Sequence, residues 1–243
     1  MRKLLGKIAV VTGANQGIGK GIARALAAEG AQLAVCARNA ARLEQAAAEL
    51  RSAGAEVLAR PVDVRDEQAV DSFFEAVAAR FGRVDILVNN AGAFDGGRVD
   101  QLSLEAWDNV IGACLTGTFL CSRRAFALMK EQGGGRILNI GSISAQRPRE
   151  NSAAYVAAKF GVWGLTQATA LDGRPFGIVA SCLHPGNVLV ERRQNSGTES
   201  DDEPMMNVET IAEAALAMLT FPPHVNMLEA IVLPVEQLYL GRG

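Results

Sequence analysis

Tyr155 and Lys159 stand four residues apart in the run Tyr155-Val156-Ala157-Ala158-Lys159. On a helix that spacing puts both side chains on one face. A phenol is a poor proton donor near neutrality, because its unperturbed pKa is about 10. A neighbouring ammonium favours the phenolate and brings such a group toward the range where an acid/base works. The chain has only two tyrosines, and one of them carries a lysine at this spacing. A Tyr and a Lys one turn apart also make an ordinary half-solvated helix face, so the surrounding elements must decide.

Those elements follow a pattern. The run Arg136-Ile137-Leu138-Asn139-Ile140 reads as a strand that delivers Gly141-Ser142 at its carboxyl end. Ligands of open α/β sheets bind beyond such ends, which puts Ser142 in reach of a substrate beside the helix of Tyr155. Near the N-terminus, Ile8-Ala9-Val10-Val11 is a continuous apolar run, as in a strand buried on both faces. It leads into Thr12-Gly13-Ala14-Asn15-Gln16-Gly17-Ile18-Gly19 and then an Ala-rich helical stretch. Glycines let the backbone approach a phosphate, and the helix N-terminus offers free N–H groups and a positive dipole end. A tight turn with no ligand is the alternative.

The next strand, Gln32 to Ala37, ends at Arg38 with no carboxylate at its tip. A carboxylate there would bind the ribose hydroxyls of NAD, whereas a guanidinium fork matches the 2′-phosphate of NADP. Arg38 therefore favours NADP(H) over NAD(H), with a surface-turn arginine as the bland alternative. A helix over 40–52 carries Leu43, Ala47 and Leu50 on one face. A strand over 56–62 ends in Asp63-Val64, and Asp66 is a suitable N-cap for a helix to Phe81. A strand over 84–88 leads into Asn89-Asn90-Ala91-Gly92, and one long helix is expected from Ser103 to about Lys130, stopped by Gly133-Gly134-Gly135. A helix over 208–219 and a strand over 228–233 close the series. Such alternation specifies an α/β fold, a doubly wound parallel sheet, here in a single domain over residues 1–243.

Composition narrows the function classes. With a formal net charge of −2, the chain has no basic footprint for nucleic acid. Hydrophobic residues make up 49 % and aromatics 5 %, a mix suited to close helix-on-sheet packing. No window approaches the roughly 18 apolar residues of a membrane span, and the basic N-terminus leads into too short an apolar run for a signal peptide. A cytoplasmic protein is expected. Cys36, Cys114, Cys121 and Cys182 show no paired spacing and read as reduced thiols, and with only His184 and His224 no metal site is expected. The arginine pairs 147/149 and 192/193 read as solvated loop charges.

Taken together, these motifs resemble the short-chain dehydrogenase/reductase family in its classical form, over nearly the whole chain. The motifs are Thr12 to Gly19, Asp63-Val64, Asn89-Asn90-Ala91-Gly92, Ser142, Tyr155 with Lys159, and Pro185-Gly186. The resemblance implies a Rossmann fold and a reaction between a small-molecule ketone or aldehyde and its alcohol. It implies Tyr155 as the acid/base on the substrate oxygen, Ser142 as that oxygen's hydrogen-bond donor, and Lys159 on the nicotinamide ribose. Gly13, Asn15, Gln16, Ile18 and Gly19 would wrap the pyrophosphate and adenosine ribose. Asp63 and Val64 would hold the adenine; Asn90, Ala91 and Gly92 would line the cofactor; Pro185, Gly186 and Val188 would face the nicotinamide. A homodimer or homotetramer is implied, and the apolar tail 234–240 suits burial against another subunit.

The chain departs from the family at two places. Aligned through Trp107 and Gly117, Cys114 stands where the family has an asparagine that supports a water beside the lysine, and a thiol is a much weaker hydrogen-bond partner. Val190 stands where a threonine often meets the carboxamide. These changes leave open a dinucleotide-binding sensor or scaffold that does not turn over. Epimerisation or dehydration through the same tyrosine is another alternative. Residues 187–207 form a long polar loop of the kind that covers sites. Phe94, Ile143, Gln146, Arg147, Leu189 and Met205 are candidate substrate contacts.

Overall fold

The computed structural model describes residues 2–191 and 203–239. Seven strands form one parallel sheet in the order β3-β2-β1-β4-β5-β6-β7. In chain order they are β1 (Ile8–Thr12), β2 (Gln32–Ala37), β3 (Val57–Pro61), β4 (Ile86–Asn89), β5 (Gly135–Ile140), β6 (Ile178–Pro185) and β7 (Glu229–Val232). The helices between them are α1 (Gly17–Ala28), α2 (Ala40–Ser52), α3 (Glu67–Phe81), α4 (Leu104–Ile111), α5 (Gly117–Glu131), α6 (Ala153–Gly173) and α7 (Val208–Leu219).

Alternation within the central strands builds two cores. Ala9 and Val11 of β1 face one side with Leu33, Val35 and Val88, where α1 and α7 pack. Ile8 and Val10 face the other with Ala34 and Leu87, where Phe73, Phe74 and Val77 of α3 cover them. A period of two thus gives apolar residues on both faces, which is why the strands read as unbroken apolar runs. Leu33 is fully buried, so truncating it to alanine should cost about 2–5 kcal/mol.

Local signals set the helix ends. Asp66 accepts from the Gln68 and Ala69 N–H groups at the start of α3, and Ser103 accepts from Ala106 N–H at the start of α4. Both are the expected N-caps. The long helix expected from Ser103 is not continuous. A single π-helical turn, Gly112–Thr116, separates α4 from α5, and Cys114 lies within it. Such turns insert an extra residue into the helix and re-aim the side chains around it.

Within the chain itself, the tail is partly packed. Gln237 and Tyr239 are buried against this same chain, while Val235 and Leu238 are exposed. Asn187 N–H donates to Gln237 Oε1 at 2.9 Å, which fastens the tail to the turn after β6. Leu240, Arg192 and Arg193 lie outside the described residues, and with them most of the loop expected to cover the site.

Candidate active site

The strand order puts the carboxyl ends of β1, β4, β5 and β6 side by side. Their following turns carry Gly13, Asn90, Ser142 and Gly186, so one sheet edge gathers residues distant in sequence. Ser142 leaves β5 with extended backbone (φ −171°, ψ 154°), and its Oγ accepts from Ser144 N–H at 3.1 Å. Tyr155 sits in the first turn of α6, partly buried. Lys159 is buried one turn later, and its Nζ lies 5.5 Å from the centre of the Tyr155 ring. Nζ donates to Ile140 C=O at 2.7 Å, two residues before Ser142. That bond draws the base of the tyrosine helix against the strand that ends at the serine.

Burial, the largest influence on Lys159, disfavours its ammonium. The negative forms of Tyr155, Cys114 and Cys182 outweigh it and hold the lysine pKa above its usual value. Lys159 is therefore a fixed positive charge at neutral pH. Phe94 packs its ring edge-on to Tyr155, with centroids 5.2 Å apart, and is itself half exposed. It gives the tyrosine an apolar wall.

Cys114 is buried and pairs with the backbone of Ala93 in both directions. Ala93 N–H donates to Sγ at 3.4 Å, and the thiol donates to Ala93 C=O at 3.2 Å. The carbonyl of Cys114 accepts from Thr118 Oγ1 at 2.7 Å. The residue thus ties the π-helical turn to the segment after Asn90-Ala91-Gly92. A Cβ on Gly92 would sit 3.1 Å from Sγ, so the glycine leaves room for the thiol.

The glycine-rich loop is braced from β4. Thr12 Oγ1 accepts from the N–H groups of Asn90 and Ala91, both at 3.0 Å. Asn90 Nδ2 donates to the carbonyls of Thr12 and Gly13, both at 3.1 Å. Gly13 has φ +65°, a conformation that favours glycine. A Cβ on Gly19 would stand 2.4 Å from Gly13 O and 2.3 Å from Asn90 Nδ2, so only a glycine lets α1 start this close to the strand. Asn15 and Gln16 are partly buried in the loop, and Ile18 packs against the core from the first turn of α1.

That turn contains no acidic residue of its own. Glu191, from the segment after β6, supplies one: its carboxylate accepts from Gly17 N–H at 3.0 and 3.3 Å. Val190 packs beside the same glycine, its Cγ1 3.2 Å from where a Cβ would stand. An anion therefore already lies on the amide end of α1, as the helix dipole favours.

Arg38 is exposed at the tip of β2. Arg42, one turn into α2, donates to Gln16 Oε1 at 2.9 Å and links that helix to the glycine-rich loop. Asp63 is held by Arg65 through Nε at 3.0 Å, Nη2 at 2.6 Å and the backbone N–H at 3.0 Å. The hydrogen bonds from the Arg65 side chain hold the Asp63 carboxyl below the usual carboxylate range. Val64 is buried against Gly117, where a Cβ would approach its Cγ2 to 2.5 Å. Pro185 ends β6, and Gly186 N–H donates to Val232 C=O at 2.8 Å. The Val188 side chain is turned into the core, so this residue offers a ligand its backbone.

Arg42, Arg65 and Glu191 belong to this region and were not singled out in the sequence, and Thr12 was read only as the first residue of the glycine-rich run. Thr12 carried a signal, its place at the strand end before the first glycine. Glu191 carried none, because its contact spans 174 positions. Of the expected substrate contacts, Gln146 is engaged with Glu229 and Tyr239. A surface cleft of about 530 Å³ is lined by residues such as Val99, Pro148, Arg149 and Val156. It borders α6 without including Ser142, Tyr155 or Lys159, so it gives no reading of the substrate.

Comparison with known proteins agrees in one direction. The short chain dehydrogenase family profile matches residues 7–201. An uncharacterized oxidoreductase of Staphylococcus epidermidis is 32 % identical over 235 residues, which span 97 % of this chain and 100 % of that one. One from Staphylococcus aureus is 34 % identical with the same coverage. Among solved structures, a variant of actinorhodin polyketide ketoreductase with NADPH superposes with a TM-score of 0.87 at 34 % identity, over 94 % of this chain and 96 % of that one. An alcohol dehydrogenase from the archaeon Thermococcus sibiricus, complexed with 5-hydroxy-NADP, gives 0.85 at 32 % identity, over 95 % and 97 %.

Proposed function

The chain belongs to the short-chain dehydrogenase family and is a dehydrogenase/reductase, and from that premise we propose that it interconverts a ketone or aldehyde with its alcohol, using NADP(H). The observation that carries this reading is the arrangement of Tyr155, Lys159 and Ser142. A fixed ammonium lies beside the phenol ring and is bonded to the strand that ends at the serine.

The residues at the sheet edge suit a dinucleotide. Glycines at 13 and 19 let the turn pack tightly against Asn90 and the start of α1, the amide end of α1 suits a phosphate, and the Glu191 carboxylate on Gly17 N–H supports an anion there. Arg38, with Arg42 and Gln16 nearby, presents a guanidinium where a 2′-phosphate would come. Asp63, the carboxylate facing that end, is neutralised by Arg65. The named cofactors of the two solved relatives support NADP in the same way. When bound, the nicotinamide supplies or takes the hydride.

The chain's own groups handle the oxygen and its proton. Tyr155 gives a proton to the oxygen that gains negative charge during reduction, and takes it back in oxidation. Ser142 donates a hydrogen bond to that same oxygen, where a donor stabilises developing charge most. Lys159 keeps a positive charge next to the phenol through the cycle. Phe94 excludes water from one side of the tyrosine.

The test is NADPH and NADH oxidation by the purified protein over a panel of ketones and aldehydes, with Tyr155→Phe alongside. NADPH-dependent turnover that falls by about 10²–10⁴ or more in the variant, with cofactor binding retained, is the expected result. Tight NADPH binding without turnover on a broad panel would favour the sensor reading that Cys114 and Val190 leave open.

A further inference from the structure

His184 lies under Ser142 with its ring fully buried. Nδ1 is 2.9 Å from Ser142 C=O and 3.3 Å from Ser142 N. Trp163 of α6 packs edge-on against the ring, with centroids 5.7 Å apart. The seat exists because residue 141 is a glycine: a Cβ there would stand 2.6 Å from Nδ1.

The sheet ladder between β5 and β6 ends just before this contact. Gly141 N–H donates to Leu183 C=O at 2.7 Å, and Pro185 has no N–H with which to extend the ladder from β6. Ser142 is one residue past that point and takes a backbone contact from the imidazole instead. Burial, foremost, pushes the imidazole pKa down, with the Lys159 charge acting in the same direction; the Ser142 carbonyl and Glu229 act against them without reversing it. The neutral ring carries one proton: on Nδ1 it would donate to Ser142 C=O at 2.9 Å, and on Nε2 it would leave Nδ1 to accept from Ser142 N–H at 3.3 Å, so either tautomer bonds the Ser142 backbone and the shorter contact favours Nδ1. Nε2 lies 3.3 Å from Glu229 Oε1 but has no aligned hydrogen bond among the described residues. Glu229 instead accepts from Gln146, which accepts from Tyr239. The ring's aligned polar contacts are thus all with Ser142. A leucine would fill the same space without burying an unpaired nitrogen.

We propose that His184 is a positioning residue, whose Nδ1–H holds the backbone of Ser142 so that the serine hydroxyl meets the reacting oxygen. This rests on the reading of Ser142 given above. Asparagine can place a donor near the position of Nδ1, and glutamine near that of Nε2, so the two replacements separate the roles of the ring nitrogens. With NADPH and a carbonyl that the wild type reduces, His184→Asn should keep kcat within about threefold. His184→Gln should lower it about ten- to hundredfold, the effect of misplacing a reacting group by about 1 Å. NADPH affinity should stay unchanged in both. Gly141→Ala, which crowds the ring, should reproduce the glutamine result. Equal kcat losses in the two histidine variants, or losses matched by weaker NADPH binding, would overturn the proposal.

A second measurement does not depend on turnover. Side-chain ¹⁵N shifts of His184 in the wild type should report the Nδ1–H tautomer, and the Nε2–H tautomer would overturn the assignment. If the wild type reduces no carbonyl while the tautomer is as expected, the functional reading of Ser142 fails and the clamp on its backbone stands.

Discussion

The carboxylate of Glu191 rests on the amide of Gly17, 3.0 Å from the first N–H of α1. A dinucleotide pyrophosphate bound at this loop needs the same amide end of the helix. If the proposed cofactor binds there, the two anions would exclude one another and Glu191 would have to leave.

Replacing Glu191 with glutamine should therefore tighten NADPH binding. An anion at a helix N-terminus is worth about 0.3–1 kcal/mol, which corresponds to a two- to fivefold lower Kd. Titration by fluorescence or calorimetry would measure it. Weaker binding in the variant would show that the carboxylate helps to hold the cofactor and does not compete with it.

The reciprocal bonds between Cys114 and Ala93 suggest a different experiment. Cys114→Ser keeps a donor and an acceptor and should hold kcat within about threefold of the wild type. Cys114→Ala removes both bonds and should lower Tm by about 2–4 °C, from roughly 1 kcal/mol of lost hydrogen bonding. Cys114→Asn restores an amide beside Lys159 and should leave activity similar or raise it. A collapse of kcat in the asparagine variant, with Tm intact, would show that the thiol has a role of its own.

Cofactor choice should follow the charge at the tip of β2. Arg38→Asp is expected to lower the NADPH/NADH preference about ten- to hundredfold, the range of one lost charged hydrogen bond plus new repulsion. Arg42→Ala should lower it less, because Arg42 also spends a hydrogen bond on Gln16. Steady-state kcat/KM with both cofactors decides this. An unchanged ratio in Arg38→Asp would defeat the NADP assignment.

Asp85 sets an acid limit on stability. Its carboxylate is buried and accepts from Ile8 N–H at 3.0 Å, Lys7 Nζ at 3.1 Å and Arg83 Nη2 at 2.7 Å. Burial is the largest influence and would raise its pKa, but the Ile8, Arg83 and Lys7 contacts outweigh it and the pKa is lowered. The folded value lies below the unfolded one of about 3.9. The contribution is thus fully present above pH about 4 and is lost as pH falls through the folded pKa. Asp85→Asn should cost about 2 kcal/mol at neutral pH, lowering Tm by roughly 4–8 °C. The gap to the wild type should narrow steadily below pH 4 in thermal melts, and a constant gap would refute the linkage.

Local patterns were enough for the scaffold. Ile8 to Val11, Asp66 and the Thr12-to-Gly19 run are short-range signals, because a strand's burial, a helix cap and a turn's φ are decided within a few residues. Tyr155 and Lys159 were legible for the same reason, since one helical turn brings them together. The π-helical turn at Cys114 was not legible. Nothing within the helix requires it, and its thiol partner, Ala93, lies 21 positions away. The tail's contact within the chain was not legible either, because an apolar stretch does not say what it packs on; Gln237 found Asn187 of its own chain, 50 positions back. Glu191 on Gly17 and His184 under Ser142 are likewise products of strand order. The parallel sheet places β1 and β6 ends on one edge, and only that placement turns a loop carboxylate into an occupant of the anion site and a buried histidine into a clamp. Sequence alone determined the sheet, the glycine-rich turn and the helical Tyr-Lys pair through local sterics and periodicity. Tertiary structure decided which distant groups hold them, since hydrogen bonds and charges act through space and not along the chain.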